Sequence, residues 1–268
     1  HEARDSKPEA IAGYLILSNV YSLNPVPDTL TADKVQLVYG VQANLFTEYI
    51  PTPEHAEMMI YPRILALAEV AWSAPSVKNY DDFHVRALKE VEALKAEGYH
   101  PFELKNEIGN RPGADQPVQH LAVGKKVDYG PDAAYYPGYS AGGDSALVDG
   151  VIGGWTYGDR RWQGFIDKKR MDVTIDMEKE TEIHSVGADF MQVCGPEVFM
   201  PSEVIISVSN DGKEFTELKR MEHKVVKDDK VTFINFGWEG NAKARYIRYQ
   251  ASSGDFGGFL FTDEIVVK

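Results

Sequence analysis

The chain has 268 residues, 43% of them hydrophobic and 26% charged, with 41 acidic against 28 basic side chains and a net charge of −13. That length suits two domains or one large one, and the composition is that of a globular rather than a disordered chain. Acidic residues run throughout with no basic stripe, which argues against nucleic acid and against an anionic membrane surface as partners. The single Cys194 excludes an internal disulfide and a cysteine-based zinc site. No stretch of about 18 apolar residues appears, so no membrane-spanning segment is expected. The opening HEARDSKPEA shows no signal peptide and reads like a cut fragment.

Residues 1 to about 51 mix short apolar runs with proline-rich connections. A helical stretch follows to about residue 98. Thr52 is a candidate N-cap, with Pro53 at the first helical position and Glu54 in the first turn, where the helix dipole favours an acid. Pro62 is expected to kink or break this helix, after which Ile64, Leu67, Ala68 and Ala71 form an apolar stripe. A second helix carries Phe83, Leu88, Val91 and Leu94 and ends at Gly98. His55 and His84 read as surface positions on these helices, and the seven histidines show no metal-binding spacing.

The run GNRPGADQPVQH, from Gly109, is the best linker in the chain, and the period then changes to two. MDVTIDM alternates Met171, Val173, Ile175 and Met177 against Asp172, Thr174 and Asp176. EVIISVSNDGKEFTEL reads as two strands around an Asn210-Asp211-Gly212 turn, and ARYIRYQA and FLFTDEIVVK add two more. Many short strands with little helical periodicity predict an antiparallel sandwich. No nucleotide fingerprint or hydrolase elbow is present.

GYLILSNVYSLNPVPDTLT and then GVQANLFTEYIPTPEHAEMMIYPRILALAEVAWS resemble the C-terminal end of the catalytic barrel of glycoside hydrolase family 20, the β-N-acetylhexosaminidases, over roughly residues 8 to 98. The resemblance implies the last strand and closing helices of a (β/α)₈ barrel, of which about 100 residues cannot close the whole. It also implies terminal N-acetylglucosamine or N-acetylgalactosamine as substrate, with the substrate's own acetamido oxygen as nucleophile. The family's catalytic Asp-Glu pair lies upstream of GVQANLFTEYI, so no catalytic residue carries over and the chain alone is expected to be inactive. Two substrate-binding positions do carry over: Glu48, accepting hydrogen bonds from sugar hydroxyls, and Phe46, standing where the family usually has a tryptophan wall. Read without the family, Phe46 is a core residue and Glu48 a solvated strand end.

From His120 onward the chain resembles a discoidin-like module, the galactose-binding fold of coagulation-factor C-type domains and family 32 carbohydrate-binding modules, with ALVDG and TDEIVV as its best motifs. Such modules often hold a structural calcium, and the resemblance places Asp149 and Glu264 at its ligand positions, with Thr156 a looser third. The alternative is that Asp149 starts a turn and Glu264 is exposed on a strand. Trp155, Tyr157, Phe199 and Phe256 lie in Gly-rich or irregular stretches and are candidates for stacking on sugars, against packing in the core; Trp162 reads as core.

The organisation expected is thus a barrel end over residues 1–108, a linker over 109–119 and an all-β jelly-roll sandwich over 120–268. The function expected is part of an exo-β-N-acetylhexosaminidase, without a catalytic cofactor, acting on glycans with the rest of its barrel. The family resemblance further implies a bacterial protein that is secreted, periplasmic or at the cell surface. The competing class is a non-catalytic carbohydrate-binding or adhesion protein.

Overall fold

The computed structural model describes residues 15–27, 29–107, 109–131, 135–166, 171–227, 231–254 and 257–268. The chain divides into two compact units, residues 1–109 and 110–268.

The described part of the first unit is helical: α1 Leu17–Tyr21, α2 Ala32–Val35, α3 Pro53–Ile60, α4 Arg63–Trp72 and α5 Tyr80–Ala96. Thr52 caps α3, its hydroxyl accepting from the His55 N–H at 3.2 Å, and Pro62 separates α3 from α4. The stripe expected on α4 is not its buried face. Ala66 and Val70 are buried, whereas Ile64, Ala68 and Ala71 are exposed and Leu67 is half-buried. Between Arg63 and Trp72 only Arg63 and Glu69 are polar, so periodicity alone offers more than one face. Glu69 settles the choice: it accepts from the Tyr21 hydroxyl at 2.8 Å and pairs with Arg86 at 2.7 Å, turning its side of α4 toward α1 and α5. On α5, Phe83, Ala87 and Val91 are buried at i, i+4 and i+8, with Leu88 and Leu94 half-buried beside them. Gly98, at φ +91°, ends α5 in a Schellman motif, with Gly98 N–H bonded to Lys95 O and Tyr99 N–H to Leu94 O. His55, expected at the surface, is buried.

No strand forms among the described residues of this unit. A barrel strand is held by its neighbours' ladders, and residues 40–50 have none among the described residues of this unit.

The second unit is all-β: β1 Lys126–Tyr129, β2 Gln163–Ile166, β3 Met171–Gln192, β4 Glu203–Ser209, β5 Thr216–Glu222, β6 Thr232–Ser252 and β7 Phe259–Val267. Every ladder between these strands is antiparallel. Instead of only short strands, the unit has two of 22 and 21 residues, β3 and β6, which pair along most of their length. Their register shifts between Asp176 and Ser185, where Glu178 takes φ +68°. Before this bend β3 lies between β1 and β6; after it, between β7 and β6. The two strands therefore serve both layers, β1-β3-β6-β4-β5 and β2-β7-β3-β6. Met171, Val173, Ile175 and Met177 are buried as the alternation predicts, sharing one core with Phe190, Phe236, Ile265 and Val267. Within it the Tyr249 hydroxyl donates to Phe236 O at 2.8 Å, tying one half of β6 to the other.

The β4–β5 hairpin forms where expected, with a loop of residues 210–215. The Asp211 carboxylate accepts from the N–H groups of Lys213 and Glu214, at 2.8 and 3.0 Å, and from the Ser209 hydroxyl at 2.9 Å. These bonds hold its pKa down to about 2. Because the folded-state pKa lies below the unfolded value of about 3.9, the stabilisation is complete above that pH and is lost as pH falls toward 2. Thermal melts against pH should show a shallower acid limb for Asp211→Ala than for the wild type; parallel limbs would discount the loop carboxylate.

Candidate functional site

Phe46 and Glu48 lie in an irregular segment, Glu48 in a turn closed by the Ile50 N–H to Thr47 O bond at 3.1 Å. Both are exposed, Phe46 at 74%, so Phe46 is not core, and Glu48 is solvated in a turn rather than at a strand end. A cavity of about 470 Å³ between α4 and α5 is lined by Leu65, Glu69, Trp72, Phe83 and Arg86 among others, and by no residue of 40–50.

In the sandwich, β3 and β7 turn alternate side chains to opposite faces. Phe190 and Leu260 enter the main core, while Met191 and Phe261 enter a second apolar cluster with Trp162 and Val198. Trp162 is fully buried, as expected. Tyr157 is half-buried, stacked on Phe261 at 4.9 Å, and Trp155, also half-buried, meets Phe233 edge-on at 5.6 Å. Neither residue is fully buried. Phe199 is 3% exposed and belongs to the main core, so it offers no face to a ligand. Phe256 lies outside the described residues.

The stretch expected as a linker, residues 109–119, belongs to the second unit from Asn110 onward. Arg111, missed in the sequence, is buried there. Its guanidinium lies 4.9 Å from the rings of both Trp162 and Phe233, donates to Gly153 O and to the Asp263 carboxylate at 2.7 Å each, and also bonds Asp189. Burial pushes the Asp263 carboxyl up to about 6, against the pull of Arg111.

Asp149 and Glu264 are brought together. Ile265 N–H donates to Leu147 O, which lays residues 147–150 along β7. The buried Glu264 accepts at Oε1 from the Gly150 N–H (2.8 Å) and from His120 Nε2 (2.7 Å), and its Oε2 is buried with no hydrogen-bond partner. Glu264 is thus not exposed on its strand. Burial raises its pKa, and the neighbouring negative charge of Asp149 raises it further. Asp149 is exposed, with Oδ1 bonded to the Val151 N–H at 2.8 Å in the local turn. The Thr156 hydroxyl is engaged by the Gly158 N–H at 3.2 Å. An orphaned carboxylate oxygen beside a second, solvent-facing carboxylate suits a hard cation with oxygen ligands. Among the described residues no group of three or more His, Cys, Asp or Glu side chains is placed to hold a metal ion, so a cation here would need backbone carbonyl oxygens or water beside the two carboxylates.

Residues 1–75 match the family described as glycosyl hydrolase family 20, catalytic domain, and residues 133–265 match the F5/8 type C domain. A β-hexosaminidase of Porphyromonas gingivalis is 47% identical over 77 residues, 29% of this chain and 10% of that protein. A β-N-acetylhexosaminidase of Cellulomonas fimi is 35% identical over 80 residues, 30% of this chain and 16% of that protein. The chain thus spans a small fraction of the length of the curated relatives it matches. Among solved structures, CpGH89CBM32-5 of Clostridium perfringens, in complex with GalNAc-β-1,3-galactose, aligns with a TM-score of 0.38 and 18% identity over 56% of this chain and 98% of that one. Both resemblances drawn from the sequence are matched in chain order, the family 20 catalytic-domain model by the first part and the F5/8 type C model by the second. No helix among the described residues is long and apolar enough to cross a membrane.

Proposed function

We propose that this chain is part of a secreted or surface exo-β-N-acetylhexosaminidase, in which Glu48 binds sugar hydroxyls, Phe46 walls the pocket and residues 110–268 form a glycan-binding module. The observation that carries the reading is the 47% identity over 77 residues to a β-hexosaminidase. The exposure of Tyr39 (93%), Phe46 (74%) and Trp72 (94%) supports it, since apolar side chains so open on one small unit suit burial against further catalytic-domain structure. In substrate-assisted hydrolysis the acetamido oxygen attacks the anomeric carbon while an acid protonates the leaving oxygen. Glu48 orients the sugar and supplies neither function; the Asp-Glu pair that would do so is assigned to sequence outside this chain. Trp155 and Tyr157, neither fully buried, are the aromatics proposed to meet glycan rings. Asp149 and Glu264 are proposed to hold a structural calcium, which when bound would neutralise the two carboxylates and tie residues 147–150 to β7.

The test is turnover of an aryl N-acetyl-β-hexosaminide by the complete parent protein and by this 268-residue chain. The parent should be active and the chain inactive. Glu48→Gln in the parent should lower kcat/KM roughly 10- to 100-fold, the ~1.5–3 kcal/mol of a hydrogen bond to a charged group. Robust Glu48-dependent turnover by the short chain would show that it holds its own acid, and an inactive parent would favour the binding-protein class.

A further inference from the structure

The calcium reading leaves one side chain unused. His120 lies just ahead of β1, its side chain fully buried, in a segment tied to β7 by Leu121 N–H to Val267 O and to residues 147–150 by Gly124 N–H to Val148 O. Its Nδ1 faces two backbone donors, the N–H groups of Ala122 and Val267, at 3.3 and 3.4 Å. An imidazole nitrogen that accepts from N–H groups carries no proton, so the ring hydrogen sits on Nε2. That nitrogen is 2.7 Å from Glu264 Oε1, which also receives the Gly150 N–H. Both donors therefore saturate the same carboxylate oxygen, while Oε2 has none.

Resting on the calcium reading, we propose that His120 is a positioning residue for the cation: its Nε2–H pins Glu264 Oε1 and so leaves Oε2 as the free ligand oxygen. A buried carboxylate held at one oxygen by two donors cannot turn to offer the other edge. The rotamer that meets the cation is fixed before the ion arrives, as outer partners fix ligands elsewhere. Backbone N–H groups choose the tautomer of His120, and His120 in turn sets the direction of the ligand. The ligand geometry is thus tied to the residues ahead of β1 as well as to the 147–150 segment.

Calcium titrations by calorimetry on the chelator-treated full chain, with melting temperatures in calcium and in chelator, test this. The wild type should bind one calcium and melt higher with it, and Glu264→Gln should abolish both effects. His120→Leu should weaken calcium binding about 10-fold or more while keeping the wild-type circular dichroism at saturating calcium. His120→Gln, whose amide N–H reaches where Nε2 stands, should stay within about threefold, and His120→Asn, too short to reach, should fall with His120→Leu. Where His120→Leu fails to fold, the Gln and Asn variants decide. Absence of calcium binding by the wild type overturns the calcium reading and the His120 role together. Wild-type binding with unchanged affinity in His120→Asn, or equal loss in His120→Gln and His120→Asn, overturns only the His120 role.

Discussion

A chain trimmed to residues 110–268 is expected to melt cooperatively, and one trimmed to 120–268 to be destabilised by about 3–5 kcal/mol, the cost of leaving a buried ion pair without one partner. The ten residues that separate the two contain Arg111, read from composition as linker. Its guanidinium is the charged partner of the Asp263 carboxylate, 1% exposed on β7, and also meets Asp189 on β3. Removing it strands the Asp263 carboxylate in the apolar cluster of Trp162 and Phe233 and takes away the flat cation packed on both rings. For a unit of this size the loss corresponds to a fall in Tm on the order of 10 °C. Arg111→Ala in the 110–268 chain should reproduce most of it. Arg111→Met, which keeps the stem without the charge, should recover little, since Asp263 stays unpaired. Equal melting of the two trimmed chains would return residues 110–119 to the role of a passive connector.

The elements most legible in the sequence were those whose signal is local. Thr52 with Pro53, the Gly98 stop, the alternation from Met171 to Met177 and the turn at Asp211-Gly212 each specify a conformation through near neighbours, and each forms as read. Periodicity failed on α4 because nearly every residue there is apolar, and the buried face is chosen by the Tyr21–Glu69–Arg86 contacts from α1 and α5. The length of β3 and β6 was hidden as well. MDVTIDM and ARYIRYQA mark only the halves in one layer, while charged residues at the bend, such as Glu178, Lys179 and Glu180, look like loop text.

The site was less legible, since its partners lie far apart in sequence. Family resemblance proposes Asp149 and Glu264 as a pair, but the histidine bonded to Glu264 is 144 residues away and no spacing announces it. Arg111 is 152 residues from Asp263 and sits in a stretch whose glycines and prolines read as linker. Phe199 shows the opposite error: irregular backbone around an aromatic suggested exposure, yet the ring is core. Gly258 allows that, because a Cβ there would stand 2.3 Å from Glu197 O and 3.1 Å from the Phe199 ring.

Gly153→Ala should destabilise the second unit by at least ~3 kcal/mol, more than overpacking commonly costs. Gly153 opens the GGWTYGDRRW run, which reads as a flexible loop tip, but it is buried and fixed from several sides. Its N–H donates to Asp263 at 3.1 Å and its carbonyl accepts from Arg111 at 2.7 Å, so the backbone cannot retreat without breaking the buried ion network. A Cβ on this residue would lie 2.3 Å from the Trp162 indole. That indole is fully buried and donates its own N–H to Gly154 O at 3.1 Å, so it has no free direction of escape. The methyl group therefore sets the ring against the network, and one of them gives way. Gly195→Ala is the control: a Cβ there meets nothing within 4 Å, and its effect should stay within about 0.5 kcal/mol. Thermal melts of the two variants beside the wild type, with near-ultraviolet circular dichroism to follow the tryptophan environment, decide the matter. A Gly153→Ala chain that melts with Gly195→Ala and keeps the wild-type tryptophan signal would mean that the Trp162 pocket yields, and that Arg111 and Asp263 hold their places without a close-packed floor.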